Sequence, residues 1–305
     1  MATDPHARPF SYHDPRLPAH PDNTYVIGIQ HMNSELARLL GQERMMNDYM
    51  PLVPPGVKLP ADAQVLDIAC GPGGWACEFA FTFPEARVVG VDINEQYITY
   101  AQATAQVQGL ENVTFQVMNV VAGFQDEEAS PHSLEFADQR FDLVNARFLV
   151  GFLKESWWPR LIREMMRVTK PGGIIRLTEC NGLDIVTNSL ALERYREILA
   201  QTLRRNGRLA VVTPLLKPWL VAAGCTNVQT APYLIDYHAG SVEHTTIYRN
   251  HEIVLYEFID FITRVDPSHS REEMEALYQQ CLIEMSSQSF CGQLLFVSAW
   301  GSTPG

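Results

Sequence analysis

One segment concentrates residues that could do chemistry. It is Val65-Leu66-Asp67-Ile68-Ala69-Cys70-Gly71-Pro72-Gly73-Gly74, an apolar run carrying one carboxylate that breaks into a glycine turn. Glycines let a backbone approach a ligand closely, and a helix opening after such a turn offers unpaired N–H groups to an anionic or polar group. A second acid, Asp92, ends the next apolar run, 21 positions after Gly71. A carboxylate at that distance can accept both hydroxyls of a ribose. The spacing Gly71-x-Gly73-x-x-Ala76 also satisfies the loose dinucleotide fingerprint. Asp67 separates the two readings: it would repel a pyrophosphate, but it suits a cationic amino-acid end.

Proton-transfer candidates are scattered. Glu179 ends an apolar run, where open α/β sheets place their ligands, and Asn181 follows it. His31, His238, His244 and His251 are further candidate bases. The last three are spaced by 6 and 7, not by the four that brings two ligands onto one helix face, so no metal site is expected. No G-x-S-x-G elbow occurs, which leaves hydrolase chemistry without support.

The elements that must position these groups alternate regularly. AQVLDIAC, ARVVGVDI, NVTFQVMNV, FDLV and GGIIRLTEC read as strands, with helices after the first two and at SWWPRLIREMMRVTK, where Ser156 is the candidate cap. Such alternation predicts a parallel sheet. After Cys180 the pattern changes: helices are expected over 187–206, 215–223, 248–264 and 271–286, and strands at TNVQTAPYLIDY and CGQLLFVSAWG. The fold class expected is α/β: a seven-stranded, mostly parallel sheet with helices on both faces and a helical cap. The division expected is a flexible proline-rich arm over 1–22, an N-terminal helical lid over 23–60 and a cofactor-binding core over 61–180. Residues 181–305 complete the core with strands six and seven, and carry inserted cap helices around 181–212 and 239–286.

Composition narrows the partners. The 305 residues are 46% hydrophobic, enough for a large core. The net charge of −12 and pI near 5.2 argue against nucleic acid, which needs a basic stripe, and against an anionic membrane surface. No run approaches the roughly 20 apolar residues of a membrane span. Six cysteines without a C-x-x-C pair read as reduced thiols of a cytoplasmic protein. A monomer or homodimer is expected.

Together VLDIACGPGG, VVGVDIN, FDLV and VTKPGG resemble, in order, motifs of the class I S-adenosylmethionine-dependent methyltransferases. The resemblance is strong over about 62–180 and weaker over 213–236 and 291–301. Within the class, SELARLLGQ and the segment from Ala146 to Cys180 are similar to small-molecule methyltransferases of secondary metabolism, in the LaeA and UbiE-like group. The resemblance implies a Rossmann-like sheet, S-adenosyl-L-methionine as cofactor and a small organic acceptor methylated on O, N or C. It implies that Asp67, Ala69 and the Gly71/Gly73 turn hold the methionine portion. Asp92 takes the ribose, Ile93 packs on adenine, and Asn119 and Val120 lie at the adenine edge. Asn145, Arg147 and Phe148 lie near the sulfonium, and Tyr25 and Gln42 reach the cofactor from the N-terminal lid. Ala69 stands where the family usually has Gly, and Asn119 where it often has Asp. Two alternatives stay open: an enzyme that binds the cofactor yet catalyses cyclisation or rearrangement, and a LaeA-like regulatory protein.

Overall fold

The computed structural model describes residues 32–125 and 132–305. One sheet organises the chain. Its strands are β1 (Gln64–Ile68), β2 (Arg87–Asp92), β3 (Val113–Val117), β4 (Phe141–Arg147), β5 (Thr169–Thr187), β6 (Thr226–Asp236) and β7 (Gly292–Ser302). They lie in the order β3-β2-β1-β4-β5-β7-β6. All pairings from β3 to β5 are parallel, and β7 runs antiparallel to both its neighbours. The order reverses between β1 and β4, so the crevice above their carboxyl ends is where such a sheet takes a ligand.

Alternation along the strands loads the two faces separately. Val65 and Leu143 pack with Trp75, Phe79, Ile98 and Ala101 of α2 (Gly74–Thr82) and α3 (Glu95–Val107). Leu66, Ile68, Val144 and Ala146 pack on the other face with Leu161, Ile162, Met165, Leu216 and Leu220 of α4 (Trp158–Val168) and α6 (Leu216–Ala222). A third apolar cluster lies in the cap. It joins α1 (Met32–Tyr49), α5 (Leu190–Arg205), α7 (Val242–Val265) and α8 (Arg271–Met285) around Met46, Tyr195, Ile259 and Met285.

Helix starts follow side-chain chemistry. Asn94, Ser189, Ser241 and Ser270 each accept a hydrogen bond from a first-turn N–H of α3, α5, α7 and α8. Ser156 does not cap α4. A 3-10 turn over Glu155–Trp157 runs straight into that helix, with Pro159 in its first turn and no side-chain cap. The fifth strand is also longer than GGIIRLTEC. Residues 181–187, expected in the cap, continue it, because antiparallel β7 supplies ladder partners out to Thr187↔Gly292. No helix among the described residues is long and apolar enough to cross a membrane.

Candidate functional site

A cavity of about 310 Å³ opens above the carboxyl ends of β1, β2 and β4. Its floor is the sheet edge: Asp67, Ala69, Gly71, Asp92, Ile93, Asn119, Val120, Arg147 and Phe148. Its roof is the cap: Gln42, Glu43 and Met46 of α1, Leu192 and Leu199 of α5, Ile247, His251, Leu255 and Phe258 of α7, with Leu294 and Phe296 of β7. The floor carries charge, and the roof sets a mostly apolar wall beside the polar side chains of Glu35, Arg38, Gln42, Glu43, Arg196 and Asn250.

Asp67 sits opposite Asn145 in the β1/β4 register, and the Asn145 amide donates to its Oδ1 at 2.8 Å. Burial raises the Asp67 carboxyl to about 6, against the pull of Arg147 and the Asn145 hydrogen bond. Asp92 accepts from the backbone N–H of Gly71 (3.0 Å) and of Asn94 (2.8 Å), which locks the glycine turn to the end of β2. Burial raises its carboxyl too, and those N–H groups oppose the rise. Both β1 and β4 are followed at once by a non-glycine residue of positive φ that lines the cavity, Ala69 at 54° and Phe148 at 59°. Backbone in this region is costly and clusters at functional sites.

Of the residues expected from the sequence, Asp67, Ala69, Gly71, Asp92, Ile93, Asn119, Val120, Phe148 and Gln42 line this one cavity. Gly73 and Asn145 stand behind its wall. Gly73 (φ 82°) instead lets α2 press on Ala101 and Phe115. Tyr25 and His31 lie outside the described residues.

The catalytic candidates fare differently. Glu179 is fully buried but does not line the cavity. Its carboxylate turns to the 3-10 turn after β4 and accepts from the N–H of Leu149 (2.6 Å) and Val150 (3.4 Å). It does not end its strand as expected, because β5 continues to Thr187, and the neighbours Cys180 and Asn181 line the cavity in its place. Asn181 lines the cavity while its amide pins Val212 and Thr213. His238 is exposed beside Asp236 at 3.5 Å, and His244 contacts the Met285 carbonyl at 2.9 Å. Of the three candidate histidines among the described residues, His251 lines the cavity. Its Nδ1–H donates to the Ile247 carbonyl at 2.9 Å, so Nε2 keeps its lone pair, and burial holds the ring to about 4.

The sequence reading missed Glu43. This α1 carboxylate accepts from the Gly74 N–H at 3.0 Å and lies 3.6 Å from Arg147. Its position next to Gln42 was the available signal. Arg147 lies over Trp75 (5.9 Å) and Phe148 (5.8 Å).

A cavity at the switch point, with acids near the ends of β1 and β2 and β7 reversed, is the arrangement of a Rossmann-like ligand site. Residues 65–173 match the methyltransferase domain family, and over that segment the chain is similar to S-adenosylmethionine-dependent methyltransferases. It is similar to a probable methyltransferase, ltbC, of Aspergillus luteorubrus (28% identical over 136 residues, 43% of this chain and 44% of that one). It is similar to methyltransferase pytC of Aspergillus terreus (28% over 187 residues, 59% and 50%). It is also similar to the ubiquinone/menaquinone biosynthesis C-methyltransferase UbiE of Bdellovibrio bacteriovorus (31% over 125 residues, 41% and 47%). The chain thus spans about half the length of these curated relatives. The solved structure of YcgJ from Bacillus subtilis shares the fold, with a TM-score of 0.50 at 17% identity over 90% of this chain and 99% of that one.

The residues present fit the cofactor of that class. Four carboxylates (Glu35, Glu43, Asp67, Asp92) and three guanidiniums (Arg38, Arg147, Arg196) line the cavity, which leaves it one positive charge short, as suits a cationic ligand. Asn145 Oδ1 is a buried acceptor without a partner among the described residues.

Proposed function

We propose that the protein transfers the methyl group of S-adenosylmethionine to a small, largely apolar organic acceptor. The observation that carries this reading is the continuity of one cavity from the acid-bearing sheet edge to the apolar cap wall. Secondary metabolism is the setting implied by the sequence resemblance.

When bound, S-adenosylmethionine supplies a methyl group already activated on a sulfonium, so the protein's task is to position and to exclude water. Asp67 would hold the cationic amino-acid end. Asp92, already oriented by two backbone N–H groups, keeps lone pairs for the ribose hydroxyls. Ile93 and Val120 would flank the adenine, with the Asn119 amide at its edge. Phe148 and Arg147 would stand beside the reacting methyl. Leu192, Leu199, Leu255, Phe258 and Phe296 would hold the acceptor's apolar body.

Where the acceptor is a hydroxyl, His251 offers a neutral Nε2 in a fixed tautomer, which would accept its hydrogen bond and orient it, while burial keeps the ring a weak proton acceptor. An acceptor that is already ionised, or an amine lone pair, would not need it.

The test is incubation with methyl-labelled cofactor and a panel of apolar phenols, carboxylic acids and amines. Labelled product supports the reading, whereas turnover of an acceptor without label transfer refutes it.

A further inference from the structure

The α1 carboxylate Glu43 is used by none of the steps above, yet it reaches into the most charged corner of the cavity. It accepts from the Gly74 N–H at 3.0 Å and lies 3.6 Å from Arg147, whose charge also acts on Asp67, the acceptor of the Asn145 amide at 2.8 Å. Gly74 is the first residue of α2, whose N-terminus favours negative charge. Arg147 and that helix end are still too little for this corner. Burial raises the Glu43 carboxyl to about 7, with Arg147 opposing and Asp67 adding to the rise. Two crowded carboxylates beside one nearby guanidinium are stabilised by a second cation. Next to them the Asn145 Oδ1, wholly buried, has no donor among the described residues.

We propose that Glu43 and Asp67 form a two-carboxylate clamp for the α-ammonium of the cofactor's methionine end, with Glu43 carried in by the lid helix α1. The inference rests on the cofactor reading given above and adds to it a residue from outside the methyltransferase-matched segment 65–173. An ammonium has three N–H donors. Asp67 and Glu43 accept two of them from opposite sides, floor and roof. Arg147, released in part from Glu43, is left to face the cofactor's carboxylate. Because Glu43 belongs to α1, the lid gains a charge-assisted contact only with a ligand that bears the ammonium. A nucleoside without that group would fill the adenine and ribose positions and leave the clamp uncompensated.

The decisive measurement is calorimetric binding of two probes to the full chain and to Glu43→Gln. The probes are S-adenosylhomocysteine, which carries the amino-acid end, and 5′-methylthioadenosine, which lacks it. The glutamine carbonyl still accepts from the Gly74 N–H, so the lid contact is kept while the charge is lost. Glu43→Gln is expected to weaken S-adenosylhomocysteine about 10-fold or more, the scale of one charge-assisted hydrogen bond, and to leave 5′-methylthioadenosine within about 2-fold. The second probe therefore doubles as the control for a folded site. Equal weakening of both probes, or of neither, overturns the role of Glu43 and leaves the cofactor site standing. Wild-type protein that binds neither probe overturns the cofactor reading and this inference with it.

Discussion

Replacing Gly73 by alanine tests what the second glycine of the turn is for. The residue has φ 82° and ψ 13° at the N-cap of α2. A Cβ built there would lie 2.7 Å from the Ala101 Cβ and 2.8 Å from the Phe115 ring. Two costs follow. The left-handed backbone costs an L-residue about 1–2 kcal/mol, and overpacking a tight contact costs about 1–3 kcal/mol more. Gly71 is the internal control. Its φ is also positive, 55°, but a Cβ there meets nothing within 4 Å, so Gly71→Ala carries only the first cost. Unfolding entropy is about 2.1 cal/mol/K per residue. For 305 residues, Gly73→Ala should therefore lower Tm by about 3–8 °C, and Gly71→Ala by about 2–3 °C. Urea denaturation of the two variants gives the difference directly. Adding Ala101→Gly should recover part of the Gly73→Ala loss, because it removes the Cβ–Cβ clash, and should recover nothing in Gly71→Ala. Equal losses at the two glycines would refute the packing role. Gly73 would then act at the ligand, as the sequence expectation had it.

Other outcomes follow from the same geometry. Asp92→Ala removes a charged acceptor and releases the Gly71 N–H, so S-adenosylhomocysteine binding should weaken about 10- to 100-fold; unchanged calorimetric affinity would reject the ribose role. His251→Asn keeps a donor for the Ile247 carbonyl but lacks Nε2, and should slow methylation of a hydroxyl acceptor by about 10-fold, the scale of one lost hydrogen bond; an unaltered kcat on such an acceptor would remove His251 from the site. Burial lifts the Glu179 carboxyl from 4.5 to about 8. The folded protein then binds this proton more tightly than the unfolded chain, so stability is fullest below about 4.5 and falls as pH rises to about 8. Glu179→Gln has no such dependence, and its stability relative to wild type should rise across that window; a pH-independent difference in urea midpoints would show that the site is not desolvated as described.

The sequence by itself determined what is local. The alternation of apolar runs with helical periods marked each strand from β1 to β7, because pleat and helix impose periods that a single segment displays. Asp67, the glycine turn and Asp92 were legible for the same reason: strand, turn and acid lie within 26 residues of each other, and the β1/β2 pairing brings the two acids to one edge. Where a local pattern was ambiguous, packing decided. β5 ran past Cys180 because β7, more than 100 residues away, supplied its ladder. The direction of Glu179 was fixed by the turn N–H groups of Leu149 and Val150, which no spacing in the sequence reveals.

Tertiary structure alone decided the roof of the site. Glu43 and His251 come from α1 and α7, and reach the cavity only because the cap helices fold back over the sheet edge. Those helices bury apolar residues in a shared cluster, and apolar burial is non-directional. Several arrangements of the helices satisfy the same pattern, and each would aim a different polar side chain into the cavity. The motif residues are set by short-range hydrogen bonds and register. The residues of the cavity roof are set by long-range packing, and only the folded chain specifies them.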